Sequence, residues 1–241
     1  MTALLQLEGI VAGYGRGDIL RGIDLTLEEG TVTCVVGPNG AGKSTVLKTL
    51  SGLLRAREGR ILLDGDDIGR LSPAQVLARG VVHVAQDRSL FPLMTVWDNV
   101  LMGGHVVRDR ALVRRRAEAI VERFALIRER RDERAGQLSG GQQKLVEIAR
   151  ALMLEPRLVL LDEPTMGLDP KARHLIFELV RELNEEGRTL LLVEQNARAA
   201  LAIAHRGAVL DGGRVALTGP GPQLLDDPRV ADLYLGGAAA A

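Results

Sequence analysis

The chain has very little cysteine and few aromatic side chains. Cys34 is the one cysteine among 241 residues, so no disulfide can form within the chain. It lies in the apolar run TVTCVVG, where we expect a small buried side chain in a protein from a reducing compartment. Phe, Tyr and Trp make up 2% of the residues. This scarcity argues against a site that binds single-stranded nucleic acid by base stacking.

The chain also lacks an excess of charge and a long apolar segment. Its 31 Lys and Arg residues balance 31 Asp and Glu residues, so no overall field attracts it to nucleic acid or anionic lipid. No apolar run approaches the ~18 residues that span a bilayer. We therefore expect a soluble protein, to which another chain must supply any membrane-spanning part. The four histidines lack metal-ligand spacing, so we propose no metal site made of protein side chains alone.

Short apolar runs alternate with helical patterns over much of the chain. Near-continuous Val and Leu are typical of parallel strands covered on both faces by helices. We predict such strands for TVTCVVG, ILLDG, GVVHVA, RLVLLDEP, RTLLLVEQ and GAVLDGG. The segments LLQLEGIVAGYG and GIDLTLEEGT instead alternate apolar and polar residues, which indicates antiparallel strands with one exposed face. The sequence therefore predicts an α/β fold with a mainly parallel sheet and an antiparallel β part.

From about Phe91 to Glu155 the pattern is mostly helical. We predict one domain over 1–241, in which 1–86 and 156–235 form the core and about 87–155 form a helical subdomain. The Arg-rich stretch 108–134 contains interleaved Asp and Glu, so we expect a solvated helix face there and no nucleic-acid site. We expect the terminal segment 236–241 to be disordered.

Residues 37–44, GPNGAGKS, match the phosphate-loop pattern, directly after an apolar strand and before a helical segment. Glycines let the backbone curl so that its amides face phosphates, and the helix N-terminus adds a favourable dipole. A glycine-rich turn before a helix is the structural alternative. The pattern predicts that Lys43 meets the β and γ phosphates and that Ser44 offers its hydroxyl to Mg²⁺. The expected nucleotide contacts are Gly37, Pro38, Asn39, Gly40, Ala41, Gly42, Lys43, Ser44 and Thr45.

Two acidic residues end the apolar run RLVLLDEP. Asp162 leaves a buried strand at the edge where doubly wound sheets collect their ligands, and we predict that it holds Mg²⁺. Glu163 suits a base or an orienter of the attacking water. The alternative is that both acids cap the following helix.

The segment LSGGQ allows a structural and a functional interpretation. Ser139 and Gln142 have the spacing of a capping box ahead of the helical run KLVEIARALML. A serine and two glycines at a helix start also make an anion site with free amides. The two interpretations are compatible.

The phosphate loop, LSGGQ and the acid pair, in this order, resemble the ATP-binding cassette family over nearly the whole chain. The resemblance implies the ABC ATPase fold, a P-loop NTPase, and the ligands ATP and Mg²⁺. It implies a second ATPase subunit, as a homodimer or a heterodimer. The segment with Ser139, Gly140, Gly141 and Gln142 would then bind the γ-phosphate held by that opposite subunit, with both glycines needed for close approach.

Three further positions take their roles from the resemblance. Tyr14 in GYG matches the aromatic residue that stacks on adenine, although a packed surface tyrosine is the alternative. Gln86 matches the glutamine that touches Mg²⁺ or the attacking water and links the nucleotide to the helical insertion. Asp169 matches a loop that crosses to the partner subunit, and a helix cap before Pro170 is an equally good interpretation.

One position departs from the common family pattern. Most members carry a histidine after the strand TLLLV, where this chain has Gln195. A glutamine can donate a hydrogen bond to the γ-phosphate but cannot become charged. The segments VEQN, ARGVVHVAQDRSLFPLMTVWDNVLMG and DDPRVADLYLG resemble the branched-chain amino acid branch of the transporters, and a urea-uptake branch looks similar.

The resemblance implies an ATPase subunit of an importer at the inner face of the cell membrane. Its partners would be transmembrane permease subunits and, indirectly, a periplasmic or extracellular solute-binding protein. A soluble cassette ATPase that acts on nucleic acid or in assembly is a rival hypothesis, but the chain has one phosphate loop, one cysteine and no useful heptad run. A module that clamps ATP and barely hydrolyses it is a second rival, motivated by Gln195.

Overall fold

The computed structural model describes residues 2–230. The strands within this range form two sheets. The predicted disorder of 236–241 lies outside the described residues. The strands are β1 (Ala3–Ala12), β2 (Leu20–Glu28), β3 (Val32–Val36), β4 (Glu58–Leu63), β5 (Asp66–Asp67), β6 (Val81–Val84), β7 (Leu158–Asp162), β8 (Thr189–Glu194), β9 (Arg206–Asp211) and β10 (Arg214–Pro220).

The larger sheet has the strand order β10-β9-β3-β8-β7-β6. All of its neighbouring pairs are parallel except β9 and β10, which form an antiparallel hairpin. The phosphate-loop strand β3 therefore lies beside β8 and the acid-bearing strand β7 comes next. The carboxyl ends of these strands share one edge, which is where ligands of open α/β sheets bind. The predicted mainly parallel α/β core is confirmed.

The smaller sheet is antiparallel, with the order β2-β1-β4-β5. The predicted antiparallel strands at the start of the chain are confirmed as β1 and β2. The prediction of a parallel strand for ILLDG was wrong, because Ile61 to Leu63 belong to β4, which pairs antiparallel with β1. Ile61 and Leu63 are buried while Leu62 is half-buried. Three apolar residues were too few for this alternation to show in the sequence.

The helices connect the strands and fill the stretch between β6 and β7. Between 87 and 155 the described elements are helical, apart from one isolated bridge, as the sequence indicated. The division into a core and a helical subdomain stays a prediction. The helices are α1 (Lys43–Leu50), α2 (Pro73–Ala78), α3 (Val96–Met102), α4 (Arg110–Arg123), α5 (Ala125–Glu129), a 3₁₀ turn (Ala135–Gln137), α6 (Gly140–Leu152), α7 (Pro170–Glu185), α8 (Ala197–Leu201) and α9 (Gly221–Leu225).

The core lies on both faces of the parallel sheet. In β8, Leu190 and Leu192 face one apolar cluster, which includes side chains of α3 to α8. Leu191 and Val193 face a second cluster, which includes α1 and the antiparallel sheet. Because each fully buried aliphatic side chain contributes about 1.5–3 kcal/mol, both faces hold the strand edge in place. Cys34 is buried in the first cluster, as predicted.

The Arg-rich stretch pairs extensively with acidic side chains. Arg131 lies 3.2 Å from Glu118, and its guanidinium lies 3.7 Å from the centroid of the Trp97 ring. Arg123 contacts Glu186 at 2.7 Å. These contacts agree with the predicted solvated helix face. Within residues 2–230, no helix combines the length and apolar character that crossing a bilayer would require.

Candidate functional site

The phosphate loop connects β3 to α1 and is shaped by its glycines. A Cβ on Gly37 would lie 2.3 Å from the carbonyl oxygen of Leu210, so the backbone of β9 passes too close for any side chain. Gly42, the N-cap residue directly before α1, has a φ of 105°, which residues other than glycine rarely adopt. The loop conformation therefore depends on glycine at both positions.

Lys43 is held in the loop by its own neighbours. Its side chain is buried, and its ammonium donates hydrogen bonds to the carbonyl oxygens of Gly37 at 3.0 Å and Pro38 at 3.2 Å. Its Nζ also lies 3.5 Å from Oε1 of Glu163. The positive charge is thus fixed beside the loop amides, where an anionic group would meet both.

Ser44 and Asp162 join the start of α1 to the end of β7. The Ser44 hydroxyl donates to Oδ1 of Asp162 at 2.9 Å. Burial raises the pKa of Asp162 above its ordinary value, although the hydrogen bond from Ser44 opposes this shift. A hydroxyl and a carboxylate oxygen at this separation suit a hard cation such as Mg²⁺, which prefers oxygen ligands.

Glu163 has a strained backbone and faces the next loop. Its φ is 43°, which is uncommon for a residue other than glycine. Residues with such backbone angles cluster at functional sites. The Glu163 amide donates to the Val193 carbonyl at 2.9 Å, and its Oε2 accepts from Nε2 of Gln86 at 3.2 Å. Asp162 contacts Ser44 and Glu163 contacts Lys43, so both acids lie beside the phosphate loop. The predicted alternative, that they cap α7, is wrong, because Asp169 caps that helix.

A cleft of about 370 Å³ brings together nine of the nineteen predicted site residues. Gln195, from the end of β8, lies on its wall with the phosphate loop. Tyr14 is half exposed beside Lys48, whose Nζ lies 6.0 Å from the ring centroid. In the part of the chain that is described, neither Tyr14 nor the LSGGQ segment lines this cleft. The lining residues are Ile19, Asn39, Gly40, Gly42, Lys43, Ser44, Thr45, Gln86, Glu163, Met166 and Gln195.

The LSGGQ segment forms the predicted capping box at the start of α6. The Ser139 amide donates to Oε1 of Gln142 at 2.9 Å, and the Gln142 amide donates to Ser139 Oγ at 3.4 Å. A Cβ on Gly141 would lie 2.5 Å from Cβ of Ala172, so this glycine is needed for packing of α6 against α7. A Cβ on Gly140 would meet only ordinary contacts, at 3.5 Å or more. The two glycines therefore differ in their local roles.

Asp169 caps α7. Its Oδ1 accepts from the Ala172 amide at 2.9 Å, and Pro170 occupies the first helical position. The helix-cap interpretation of Asp169 is therefore confirmed. A role toward a partner subunit stays a prediction.

Several buried charges near the site were not predicted from the sequence. Glu194, beside Gln195, accepts from the hydroxyl of Thr165 at 2.7 Å and from its amide at 3.1 Å, and burial raises its pKa. Lys144 and Glu147 form a buried ion pair at 2.7 Å on α6. The acidic end of the run TLLLVE was a signal for Glu194. A Lys and a Glu three residues apart on a helix usually indicate an exposed pair, so the sequence did not signal that Lys144 and Glu147 are buried.

Known proteins resemble this chain over 97% of its length. The family described as ABC transporter matches residues 20–166. The high-affinity branched-chain amino acid transport ATP-binding protein BraG of Pseudomonas aeruginosa is 38% identical, over 97% of this chain and 100% of its own length. The lipopolysaccharide export system ATP-binding protein LptB of Haemophilus influenzae is 33% identical, over 97% and 98% respectively.

A solved structure with the same fold contains nucleotide. It is a dimeric ATP-binding cassette in a post-hydrolysis state, bound to ADP and Pi. Its chain is 30% identical to this one, with a TM-score of 0.79 over 90% of this chain and 98% of its own.

Proposed function

This chain belongs to the ABC transporter family, and we propose that it powers uptake of branched-chain or related hydrophobic amino acids. Membership of the family makes it an ATP-binding subunit and an ATPase. The observation that carries the ATPase assignment is the convergence of Lys43, Ser44, Glu163, Gln86 and Gln195 on one cleft. The amino-acid assignment is supported by the full-length similarity to BraG.

ATP is proposed to bind with its phosphates on the loop amides of residues 37–45. Lys43 gives up its bonds to Gly37 and Pro38 and donates to the β and γ phosphates. Ser44, Asp162 and the amide oxygen of Gln86 would hold Mg²⁺, which neutralises phosphate charge when bound. Tyr14 is proposed to stack on the adenine ring, as its exposure beside α1 permits.

Glu163 is proposed to orient or deprotonate the attacking water. Gln86 donates to one of its oxygens, which holds the carboxylate in one direction. Lys43 and the loop amides stabilise charge on the transferring phosphoryl group. Gln195 would donate to the γ-phosphate without ever carrying a charge.

The second half of the site is proposed to come from another cassette, either a copy of this chain or a related one. The amides of Gly140 and Gly141 lie at a helix start and are not used by the capping box. Among the described residues that line the cleft of their own chain, none belongs to the segment 139–142. We place the γ-phosphate of the partner's ATP against these amides, and Asp169 near the same interface. One subunit alone should therefore bind ATP and hydrolyse it poorly.

A groove beside the helical stretch is the proposed docking site of a transmembrane permease. Its volume is about 360 Å³, and it lies between β6, α3 and α6. Phe91 and Met102 are exposed on its wall. Large exposed apolar side chains around a concavity are typical of a protein interface. Through such a permease the chain would work at the cytoplasmic face of the membrane, with a periplasmic or extracellular solute-binding protein on the other side.

Solute uptake in cells tests the amino-acid assignment. Cells without this chain should lose uptake of labelled leucine, isoleucine and valine. The wild-type chain should restore it, and the Glu163→Gln variant, expressed at the same level, should not. Restored uptake of urea, or a defect in lipopolysaccharide export with normal leucine uptake, would overturn the amino-acid assignment and leave the ATPase assignment intact.

A further inference from the structure

A buried ion pair on α6 contacts the segment that carries Gln86. Lys144 is 8% exposed and Glu147 is 2% exposed, and Nζ of Lys144 lies 2.7 Å from Oε2 of Glu147. Buried ion pairs of this kind contribute little net stability, because desolvation offsets the attraction. The contacts that each partner makes beyond the pair therefore need an explanation.

Both partners reach the backbone of residues 85–89. The Lys144 ammonium donates to the carbonyl oxygen of Ala85 at 3.1 Å and approaches that of Gln86 at 3.5 Å. Oε1 of Glu147 accepts from the Ser89 amide at 2.6 Å. The pair thus contacts this segment on both sides of the Gln86 side chain.

Two more side chains hold the same segment. Arg150, one turn further along α6, donates to the Ser89 carbonyl at 2.9 Å. Asn99 of α3 is fully buried and donates to the Phe91 carbonyl at 3.0 Å, while its own oxygen accepts from the Phe91 amide at 2.8 Å. Residues 85–91 are therefore attached to the helical part of the chain.

We propose that Lys144 and Glu147 are positioning residues for hydrolysis, which couple the helix beginning at LSGGQ to Gln86 in the same chain. The Gln86 amide lies 3.2 Å from the Glu163 carboxylate. When α6 shifts, Lys144 and Glu147 move the Gln86 backbone with it and so set whether Gln86 reaches Glu163. The inference rests on the proposed role of Gln86 in hydrolysis.

The test compares ATP hydrolysis and stability in four variants of the full chain. Lys144→Met and Glu147→Gln each break the pair, and the double variant Lys144→Met/Glu147→Leu removes both charges. Arg131→Met is the matched control, since it breaks an ion pair in the helical part that does not contact residues 85–89. We expect each single variant to lower kcat about tenfold to a hundredfold, with little change in KM for ATP.

The double variant separates positioning from a merely structural role. Removing both buried charges should restore the unfolding midpoint toward the wild-type value. Positioning requires that kcat stays low in the double variant. Recovery of kcat together with stability would overturn the proposal, as would an equal loss of kcat in Arg131→Met.

A second comparison uses Gln86→Ala as the background. If Lys144 acts through Gln86, Lys144→Met should lower kcat no further in that background. An additional loss there would overturn the coupling. Normal kcat in Gln86→Ala itself would instead contradict the proposed role of Gln86, so the two failures are distinguishable.

Hydrogen exchange gives a readout that does not depend on turnover. The Ser89 amide should exchange faster in Lys144→Met and in the double variant than in the wild type, and at the wild-type rate in Arg131→Met. An unchanged exchange rate of the Ser89 amide in Lys144→Met and in the double variant would overturn the proposal.

Discussion

The hydroxyl of Ser44 lies 2.9 Å from the carboxylate of Asp162, although 118 positions separate them in the chain. This contact fixes the start of α1 against the end of β7. It joins the phosphate loop to the acidic strand end before any ligand contributes. Both side chains are therefore oriented in advance for the Mg²⁺ that we propose they share, at a cost in buried charge.

We expect Asp162→Asn to stabilise the chain and to abolish most hydrolysis. Burial raises the pKa of Asp162 in the folded state, so the folded chain disfavours the ionised side chain at pH 7 relative to the unfolded chain. The isosteric amide removes this cost. Urea denaturation without nucleotide should show a larger free energy of unfolding for Asp162→Asn at pH 7, and phosphate release should fall.

At low pH the stability advantage of Asp162→Asn should become smaller. As the pH falls through the raised pKa of Asp162, the wild-type carboxyl becomes neutral and the advantage of the amide should disappear. Ser44→Ala is the comparison variant, because it removes the hydrogen bond while it leaves the buried charge. It should not gain stability, and a gain equal to that of Asp162→Asn would contradict the explanation by buried charge.

We expect Glu163→Gln to bind ATP normally and to hydrolyse it 10² to 10⁴ times more slowly, roughly the range for loss of a general base. The amide keeps the side-chain shape beside Lys43 and Gln86. Phosphate release measures hydrolysis, and equilibrium binding of labelled ATP measures affinity. An unchanged hydrolysis rate would show that Glu163 is not the group that activates water.

The sequence predicted the parallel sheet well because its signals are local. Val159 to Leu161 are all buried in β7, and an uninterrupted apolar run is what two covered faces require. The run ILL in β4 was too short to distinguish the continuous apolar pattern of a strand covered on both faces from the alternating pattern of an antiparallel strand. Its antiparallel pairing with β1 depends on contacts across about fifty residues of sequence, which no local pattern contains.

The candidate site residues that could be predicted from the sequence lie in the glycine-rich loop and at the ends of apolar strands. Lys43 falls in the phosphate loop and Glu163 in the acidic strand end, so each was singled out by its own motif. The structure adds that their charged groups lie 3.5 Å apart. Lys144 and Glu147 look like an exposed helical pair in the sequence. They become buried because residues 85–89 fold over that face of α6, a tertiary contact that spacing along the chain does not reveal.

We expect the stability of the chain to depend on pH through His83. Burial lowers its pKa from 6.5 to about 4, with a smaller contribution from the charge of Lys48. The folded chain therefore binds fewer protons than the unfolded chain between these values, and stability is lost as the pH falls from about 6.5 toward 4. This lowering of the His83 pKa corresponds to roughly 3 kcal/mol of stability.

The variant His83→Leu isolates this contribution. Urea denaturation of the wild type and the variant should be compared at about pH 7.5, 6 and 4.5. These values cover the range between the ordinary His83 pKa of 6.5 and its lowered pKa of about 4. The difference between wild type and variant should be constant above about pH 7 and should move in favour of the variant below about pH 6.5. Parallel curves over the whole range would mean that His83 becomes protonated in the folded chain without penalty.

The adjacent glycines of LSGGQ separate folding from hydrolysis. In Gly141→Ala the new Cβ would lie 2.5 Å from that of Ala172, so α6 and α7 must move apart. Overpacking of this kind costs about 1–3 kcal/mol, which should appear as a lower urea midpoint. In Gly140→Ala the new methyl group meets Leu168 at 3.5 Å, an ordinary contact. Its stability should therefore be equal to the wild type or higher, since alanine favours a helix more than glycine does.

In Gly140→Ala, hydrolysis should fall although stability does not. The methyl group of Gly140→Ala would stand between the amides of α6 and the γ-phosphate that we place against them, so phosphate release should fall although the fold is intact. Phosphate release and urea denaturation on the same preparations check both quantities. Wild-type hydrolysis in Gly140→Ala would show that no phosphate approaches this helix start closely, and LSGGQ would then be left with the capping box as its function.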